Sequence, residues 1–586
     1  MNYNLDTLTD KEQKTGTYSA LKKLLILISE ERKNLILACI AIFINSSLSL
    51  ISPFLIGYAI DHYIVTKNFH GVLLFSGILV IIYLLALLTS YLQTKLMGGV
   101  GQRMLFTLRN SVFKKLLELP LAFFNQNKAG DLISRVNNDT DKLNQFFSQS
   151  LMQFIGSIVT MIGSGIFLLV INWRLGAAAL VPGVLILVFT RIFSPMVKKR
   201  NALNLKSVGG MSAEIQESLN NFKVIIAFNR RDYFRNRFDE ANSDNYSTAT
   251  SAGLANNIFV PVYGLFSSIA QLVVLAYGIY LISVGEFSIG LLVSYLSYAN
   301  NFYTPLRQLA ALWTSFQVAM AGWDRISHIL SLESDMPVLK TSPAMPGAPI
   351  MEFNNVHFSY PNGKEVLHNM LFKLERGKTY ALIGPTGGGK TTTSNLMARL
   401  YDASKGTVLL DGKDIRSYDP VDRTRKIGFI LQEPFLFAGT VRENILYGNE
   451  LYKNFTDEQL TMVIRESNLE SILLIFEMGL DTVIQTGGES ISLGQKQLIA
   501  FMRAVLRNPE MLILDEATAN IDTITEQLLE DILQKLPMET TRVIIAHRLN
   551  TIKNADEIFF VNSGEMIRAG SFDDAVNMLL HGKRES

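Results

Sequence analysis

The sequence predicts a helical membrane domain of six spans with long cytoplasmic extensions, fused to a soluble α/β domain. Three observations lead there. Long apolar runs fall before about residue 325 and are absent from the rest, so hydropathy is divided between two regions. Cations are sorted to one side of those runs. A buried-strand pattern at 379–383 leads directly into a glycine-rich loop, Lys-Thr and a helical segment. At 586 residues the chain is too long for one domain. The expected divisions are an N-terminal segment at 1–33, a membrane domain at 34–325, a linker at 326–349 and a soluble domain at 350–586.

The net charge is only +2, which gives no global signal for nucleic acid. The single cysteine, Cys39, excludes a disulfide framework within the chain and argues against a cysteine-based metal site. The first apolar run follows some thirty polar and amphipathic residues and lacks a small-residue cleavage pattern, so it reads as a retained span. Before it, residues 19–29 form a basic amphipathic pattern suited to lying along a membrane interface.

A spanning helix needs about 20 mostly apolar residues. Candidates lie at 35–59, 72–92, 154–171, 176–193, 258–284 and 289–318; the fourth is short and the last is interrupted by polar residues. The connections at 61–71, 172–175 and 285–288 are short and carry few cations. The long connections carry many, including Lys95, Arg103, Arg109, Lys114 and Lys115 in one and Lys198, Lys199, Arg200, Arg230, Arg231 and Arg235 in the other. Positive charge stays inside, so both termini, both long connections and the soluble domain are expected on the cytoplasmic face of the membrane. Leu105, Leu108, Val112 and Leu116 repeat at helical spacing, as do Ile215, Leu219, Phe222 and Ile226. The long connections therefore read as helices that continue the spans and return through short turns.

The spans hold almost no acids, which argues against a charged ion relay. In the last span Tyr295, Tyr298, Asn301 and Phe302 share one helical face. Asn45, Asn256, Asn257, Gln308 and Gln317 add polar groups elsewhere. Such a stripe serves either as hydrogen-bonding glue between helices or as the lining of a cavity for an amphiphilic solute.

In the second region, Gly384, Pro385, Thr386, Gly387, Gly388, Gly389, Lys390, Thr391 and Thr392 make a phosphate-binding loop of the P-loop NTPase class. Glycines let backbone N–H groups approach a polyphosphate, and the following helix start adds a favourable field. Lys390 would reach the outer phosphates and Thr391 would hold Mg²⁺. The apolar run 511–514 ends in Asp515 and Glu516, an acid to hold the metal and an acid to polarise the attacking water. Ser492 and Gln495 have capping-box spacing, which puts Ser492 at a second helix start.

The pentapeptide Ile491-Ser-Leu-Gly-Gln495 resembles the signature L-S-G-G-Q of the ATP-binding cassette (ABC) transporters. The resemblance covers nearly the whole chain. It implies that Tyr360 stacks on adenine, that Gln432 senses Mg²⁺ and the coupling turns, and that Asp515 and Glu516 are the metal-holding and catalytic acids. It implies that Asp522 closes a loop usually reading S-A-L-D, and that His547 contacts the γ-phosphate. Ser492, Gly494 and Gln495 would face the ATP held by a second subunit. Phe123, Phe124, Gly130, Ser134, Arg135 and Asp139 look like the first coupling segment of exporters, and 214–238 like the second. Spans and cassette on one chain resemble an exporter half-transporter. The N-terminal segment is too short for a peptidase domain, which disfavours a leader-cleaving peptide exporter.

Two departures stand out. Gly388 replaces a frequent serine, a mild change if the backbone does the binding. Leu493 replaces the first signature glycine, which favours a heterodimer with one eroded ATP site over a homodimer. The expected function is ATP-driven export of amphiphilic drugs or lipids by alternating access. The alternatives are a dedicated lipid flippase and an ATP-gated channel or receptor, the latter disfavoured by retention of Glu516.

Overall fold

The computed structural model describes residues 3–5, 31–340, 347–361, 363–488, 490–515, 523–545 and 553–581. The chain forms two compact units: one of 12–117 and 130–331, the other of 1–11, 118–129 and 332–586.

The first unit is helical. Helix α1 (Arg32–Ala59) continues through a π-helical turn to Ile64. Helix α2 (Phe69–Glu118) runs unbroken for 50 residues, about 75 Å at 1.5 Å per residue. A bilayer core is only about 30 Å thick, so the helical spacing of Leu105, Leu108, Val112 and Leu116 does continue the span as a helix; all four are buried. After the short helix α3 (Leu121–Gln126), which belongs to the other unit, brief α- and π-helical turns lead to α4 (Leu151–Ile171). Asn172 leaves helical geometry and its side chain caps α5 (Trp173–Asn220), accepting from the N–H groups of Arg174 and Leu175. Then come α6 (Phe222–Ala227), α7 (Arg231–Asn257), α8 (Phe259–Ser283) and α9 (Ile289–Ser331).

Among the described residues, five helical stretches have the length and apolarity to cross a membrane: Arg32–Ile64, Phe69–Glu118, Ala129–Ile171, Trp173–Asn220 and Arg231–Ser283. The sixth expected span lies within α9, which has 43 residues but is interrupted by polar side chains and does not match the others in apolarity. The periodic pattern at 213–238 is not one helix. Asn221 closes α5, and Asn229, with φ of 51°, closes α6 in the left-handed region that asparagine tolerates. The apolar residues at this spacing do not form a buried stripe: Ile215, Leu219, Phe222 and Ile226 are exposed, and Ile225 is the buried residue of α6. The amphipathic segment 19–29 lies outside the described residues.

The tyrosine stripe resolves in favour of packing. Tyr295 and Tyr298 have no exposed surface and belong to a core with Leu50, Leu168, Leu175 and Val274. The Tyr295 hydroxyl donates to the carbonyls of Leu168 and Asn172, Tyr298 to that of Leu50 at 2.7 Å, and Tyr303 to that of Ala179 at 2.6 Å. Phe167 stacks on Tyr298 at 4.9 Å between ring centroids. A buried phenol without a partner is costly, so each of these rings joins α9 to a named neighbour.

At one end of the bundle, α1 and α9 touch through glycines. A Cβ on Gly57 would lie 2.4 Å from the Gly290 carbonyl oxygen, and one on Gly290 would lie 2.0 Å from that of Gly57. Asp61 accepts from the Gly290 N–H at 2.8 Å and from the Ser288 hydroxyl, placing a carboxylate at the start of α9. Toward the other end, Asp139 is buried, and Arg325 on α9 donates to it from Nε at 2.7 Å and Nη2 at 2.5 Å, with Lys142 at 3.1 Å. Burial alone would raise the Asp139 carboxyl, but Arg325 and Lys142 override it and hold it below the usual range.

The second unit contains mixed and antiparallel sheets. Strands β1 (Met351–Ser359), β2 (Glu365–Leu374), β4 (Lys405–Leu410) and β5 (Lys413–Asp414) form an antiparallel sheet in the order β2-β1-β4-β5. A short two-stranded sheet pairs β7 (Gly439–Thr440) with β8 (Val483–Ile484). A further sheet runs β12-β11-β3-β10-β9-β6, with β3 (Thr379–Ile383), β6 (Ile427–Ile430), β9 (Met511–Asp515), β10 (Thr541–Ile545), β11 (Glu557–Asn562) and β12 (Glu565–Arg568). The five strands from β11 to β6 are parallel, and β12 pairs antiparallel with β11. Every residue of β9 is buried, as the continuous apolar run requires of a strand covered on both faces.

Replacing Arg325 with alanine leaves Asp139 buried with Lys142 alone. We expect a loss of about 3 kcal/mol, read by thermal unfolding in detergent at neutral pH. The wild-type contribution, from a depressed carboxyl, is complete above the ordinary carboxylate range and disappears as pH falls through the folded-state value. An unchanged transition in Arg325→Ala would remove this pair from the fold's supports.

Candidate nucleotide site and membrane cavity

The parallel sheet gathers the nucleotide residues. Strands β3, β10, β9 and β6 all end on the same edge, where open α/β sheets bind ligands. The glycine loop follows β3, Asp515 ends β9, and Gln432 lies exposed just beyond β6. Glu516, Asp522 and His547 lie outside the described residues; β9 and β10 end at Asp515 and Ile545.

The loop from Gly384 to Gly389 precedes helix α10 (Lys390–Met397). Gly384, Gly387 and Gly389 have φ of 142°, 82° and 112°, which side-chain-bearing residues rarely adopt. A Cβ on Gly384 would lie 2.0 Å from the Val561 carbonyl oxygen. Lys390 is buried, and its ammonium donates to the carbonyls of Gly384 at 2.9 Å and Pro385 at 3.0 Å, which places the charge within the loop. Loop, helix start and ammonium together make a cradle for a polyphosphate.

Thr391 donates from its hydroxyl to Asp515 at 3.2 Å, so two expected metal-holding groups meet. A hydroxyl beside a buried carboxylate suits a hard divalent cation, which takes oxygen ligands. Pro385, Thr386 and Gly388 complete the loop. Tyr360 follows β1, and its hydroxyl lies 3.1 Å from that of Thr392. Phe358 and Tyr401 meet the Tyr360 ring edge-to-face, at 4.9 Å and 5.2 Å between centroids, and so fix its plane.

The signature turn opens helix α11 (Leu493–Val505). Its capping box forms: the Ser492 hydroxyl accepts from the Gln495 N–H at 3.2 Å, and the Gln495 side chain accepts from the Ser492 N–H at 2.9 Å. Gly494 is buried, while Ser492 and Leu493 are exposed. The substituted leucine therefore adds its bulk to the outer surface of the helix start.

Gly388 departs from the sequence expectation. A Cβ there would lie 2.5 Å from the Val561 carbonyl oxygen and 3.1 Å from that of Pro385. Replacing a frequent serine is thus a packing requirement of this loop rather than a mild change.

The helical unit holds a cavity of about 400 Å³ lined by Asn45, Ser46, Ser49, Gln93, Gln153, Ser157, Thr160 and Gln308, with Ile42, Met152, Gly156 and Pro305. No lining residue is charged. The Gln93 side-chain oxygen is buried and has no hydrogen-bond partner. Sequence reasoning singled out Asn45 and Gln308 but missed Gln93, Gln153, Ser157 and Thr160. Their signal is a polar residue every third or fourth position on otherwise apolar helices.

The family model for the ABC transporter transmembrane region matches residues 35–306, and the family model described as ABC transporter matches residues 367–519. A fatty acid ABC transporter ATP-binding/permease protein of Mycobacterium bovis is 32% identical over 84% of this chain and 77% of its own length. A multidrug resistance ABC transporter ATP-binding and permease protein of Lactococcus lactis is 30% identical over 85% and 84%. An ATP-dependent lipid A-core flippase of Syntrophus aciditrophicus is 29% identical over 94% and 91%.

In Gly388→Ser the loop must shift away from Val561. We expect the Kd for ATP to rise about tenfold, or about 1.4 kcal/mol, within the usual cost of overpacking. Titration calorimetry on the purified chain checks this, and wild-type affinity would show that the loop absorbs the added atoms freely.

Proposed function

The chain belongs to the ABC transporters, as a half-transporter that couples ATP hydrolysis to export of hydrophobic compounds or lipids, and on that premise we propose that its cargo is an uncharged amphiphile. The observation that carries this reading is the cavity's lining of amides and hydroxyls without a single charge. An anionic lipid headgroup calls for basic partners, and the cavity supplies none. Gln93 offers a buried acceptor to a cargo hydroxyl or amide, where pairing is favoured in a low-dielectric setting. The relatives' names include a drug, a fatty acid and a lipid A-core cargo, and the uncharged wall favours the first kind.

For the nucleotide site we propose the following division of work. Bound ATP with Mg²⁺ supplies the phosphoanhydride whose cleavage drives the cycle. Tyr360 stacks on the base. The backbone from Gly384 to Gly389 and the ammonium of Lys390 hold the phosphates, with Thr392 steadying Tyr360. Thr391 and Asp515 hold the metal, supported by their hydrogen bond, and Gln432 completes that set from the end of β6. Glu516 accepts a hydrogen bond from the attacking water, and His547 contacts the γ-phosphate. Ser492, Gly494, Gln495 and Asp522 close the site of a partner subunit.

The half-transporter dimerises, and the exposed Leu493 beside Ser492 favours a distinct second half-transporter. The cation sorting favours a cytoplasmic nucleotide domain in a cell's inner membrane. A channel or receptor that uses ATP only as a switch has no need of Glu516.

Glu516→Gln keeps the shape of the base and removes most of its basicity. ATP binding is expected to persist while turnover falls about 10²–10⁴-fold. Phosphate release is measured on the chain purified alone and with its partner; wild-type turnover in the variant would sink the assignment of the base. Robust turnover by the wild-type chain alone would sink the heterodimer. In vesicles, an uncharged fluorescent amphiphile should be exported and an anionic one should not. Gln93→Leu should reduce uptake of the uncharged probe about fivefold, the worth of one lost hydrogen bond. Preference for the anionic probe would overturn the cargo reading.

A further inference from the structure

Tyr3 is fully buried, although it lies at the start of the sequence. Its ring meets Phe123 edge-to-face at 6.2 Å between centroids. Its N–H donates to the Gln126 side-chain oxygen at 2.9 Å. Asn127 reads both sides of the same short stretch: its amide oxygen accepts from the Leu5 N–H at 3.0 Å, and its amide nitrogen donates to the Tyr3 carbonyl at 3.0 Å. That amide nitrogen also donates to the Phe123 carbonyl at 2.7 Å, at the base of α3. A side-chain amide so used stands in for the backbone of a neighbouring strand. The Tyr3 hydroxyl then bridges elsewhere, donating to the Glu333 carbonyl at 3.0 Å and accepting from the Asp335 N–H at 2.8 Å.

Three stretches far apart in sequence thus meet at one phenol. Two of them are places where the chain passes between the compact units: the excursion 118–129, and the exit from α9 after Ser331. Any displacement carried along the chain between ATPase and spans runs through these crossings. Burial pushes the phenol up to about 12, so the hydroxyl keeps its proton at physiological pH.

We propose that Tyr3 is a positioning residue for export: it fastens the turn Leu121–Gln126 to the segment Glu333–Asp335, so that both crossings move as one body when the nucleotide domain changes state. The ring supplies the grip on the turn, the hydroxyl supplies the grip on the exit segment, and Asn127 sets the register of the strap. The role rests on ATP-driven export and is independent of which amphiphile is carried.

The test uses the full transporter in vesicles, with Tyr3→Ala, Asn127→Ala and the double variant. One readout is ATP-dependent export of the uncharged amphiphile. The other is the rate at which a maleimide labels Cys39, the single cysteine, which is exposed on α1, with and without ATP. Both responses to ATP should fall about tenfold in each single variant, within the usual range of coupling between sites. The KM for ATP should stay within about twofold of wild type, because none of these residues touches the nucleotide cradle. The double variant should be no worse than either single one, as expected of groups in one network. Should Tyr3→Ala fail to accumulate, Tyr3→Phe removes only the hydroxyl bridge and should lower both responses about threefold. Wild-type responses, losses that multiply in the double variant, or a KM that rises in step with them would each overturn the proposal. Absence of export by the wild type, with Cys39 labelling still responding to ATP, would count against the cargo reading and leave the strap's test intact.

Discussion

A polar group surrounded by hydrocarbon must find its partner inside the protein, and the helical unit is arranged around that constraint. The hydroxyls of Tyr295, Tyr298 and Tyr303 each reach a backbone carbonyl on another helix, so α9 is tied to α1, α4 and α5 by bonds that water cannot replace. Asp61 accepts from the Gly290 N–H in the first turn of α9, where a negative charge is most favourable. Other buried polar atoms of the unit, among them the Ser164 hydroxyl and the Asn144 side-chain oxygen, have no protein partner, and of these the Gln93 oxygen is the one that lines the cavity. The same rule marks the supports of the bundle and the cavity wall at Gln93, where a cargo group can supply the missing partner.

The soluble unit solves a different problem, which is to bring distant residues to one edge. Inserting β10 between β3 and β9 sets the glycine loop and Asp515 two strands apart, near enough for Thr391 to reach the carboxylate. The same sheet presents Gln432 beyond β6. Tyr360 comes from the other sheet, which is why its plane depends on Phe358 and Tyr401 rather than on the strand order.

Much of this was legible in sequence because its signals are local. Strand, glycine loop and helix follow one another at 379–397, and the box at Ser492 and Gln495 needs only four residues. Apolar runs of spanning length are equally local. What escaped depends on meetings across the chain. The tyrosine stripe could not be assigned to packing or cavity until the carbonyls of Leu50, Leu168 and Ala179 were placed beside it. Gly388 reads as neutral until Val561 is seen over it, and no local pattern announces Tyr3. The break at Asn221 was hidden because the spacing of Ile215, Leu219, Phe222 and Ile226 runs across it unchanged, although all four side chains are exposed.

The meeting of Gly57 with Gly290 has a mechanical meaning. Two backbones in close apposition, with only the Ser294 hydroxyl and the Asp61 carboxylate beside them, leave no bulky apolar layer to shear. The carboxylate of Asp61 adds an end-stop, since sliding α1 along α9 by one turn would carry it about 5.4 Å from the N–H it accepts from. The two helices therefore behave at this end as a single stiff strut, able to tilt together but not to slip past each other. Whatever opening the bundle undergoes must be distributed over its other seams, where bulkier side chains can re-pack.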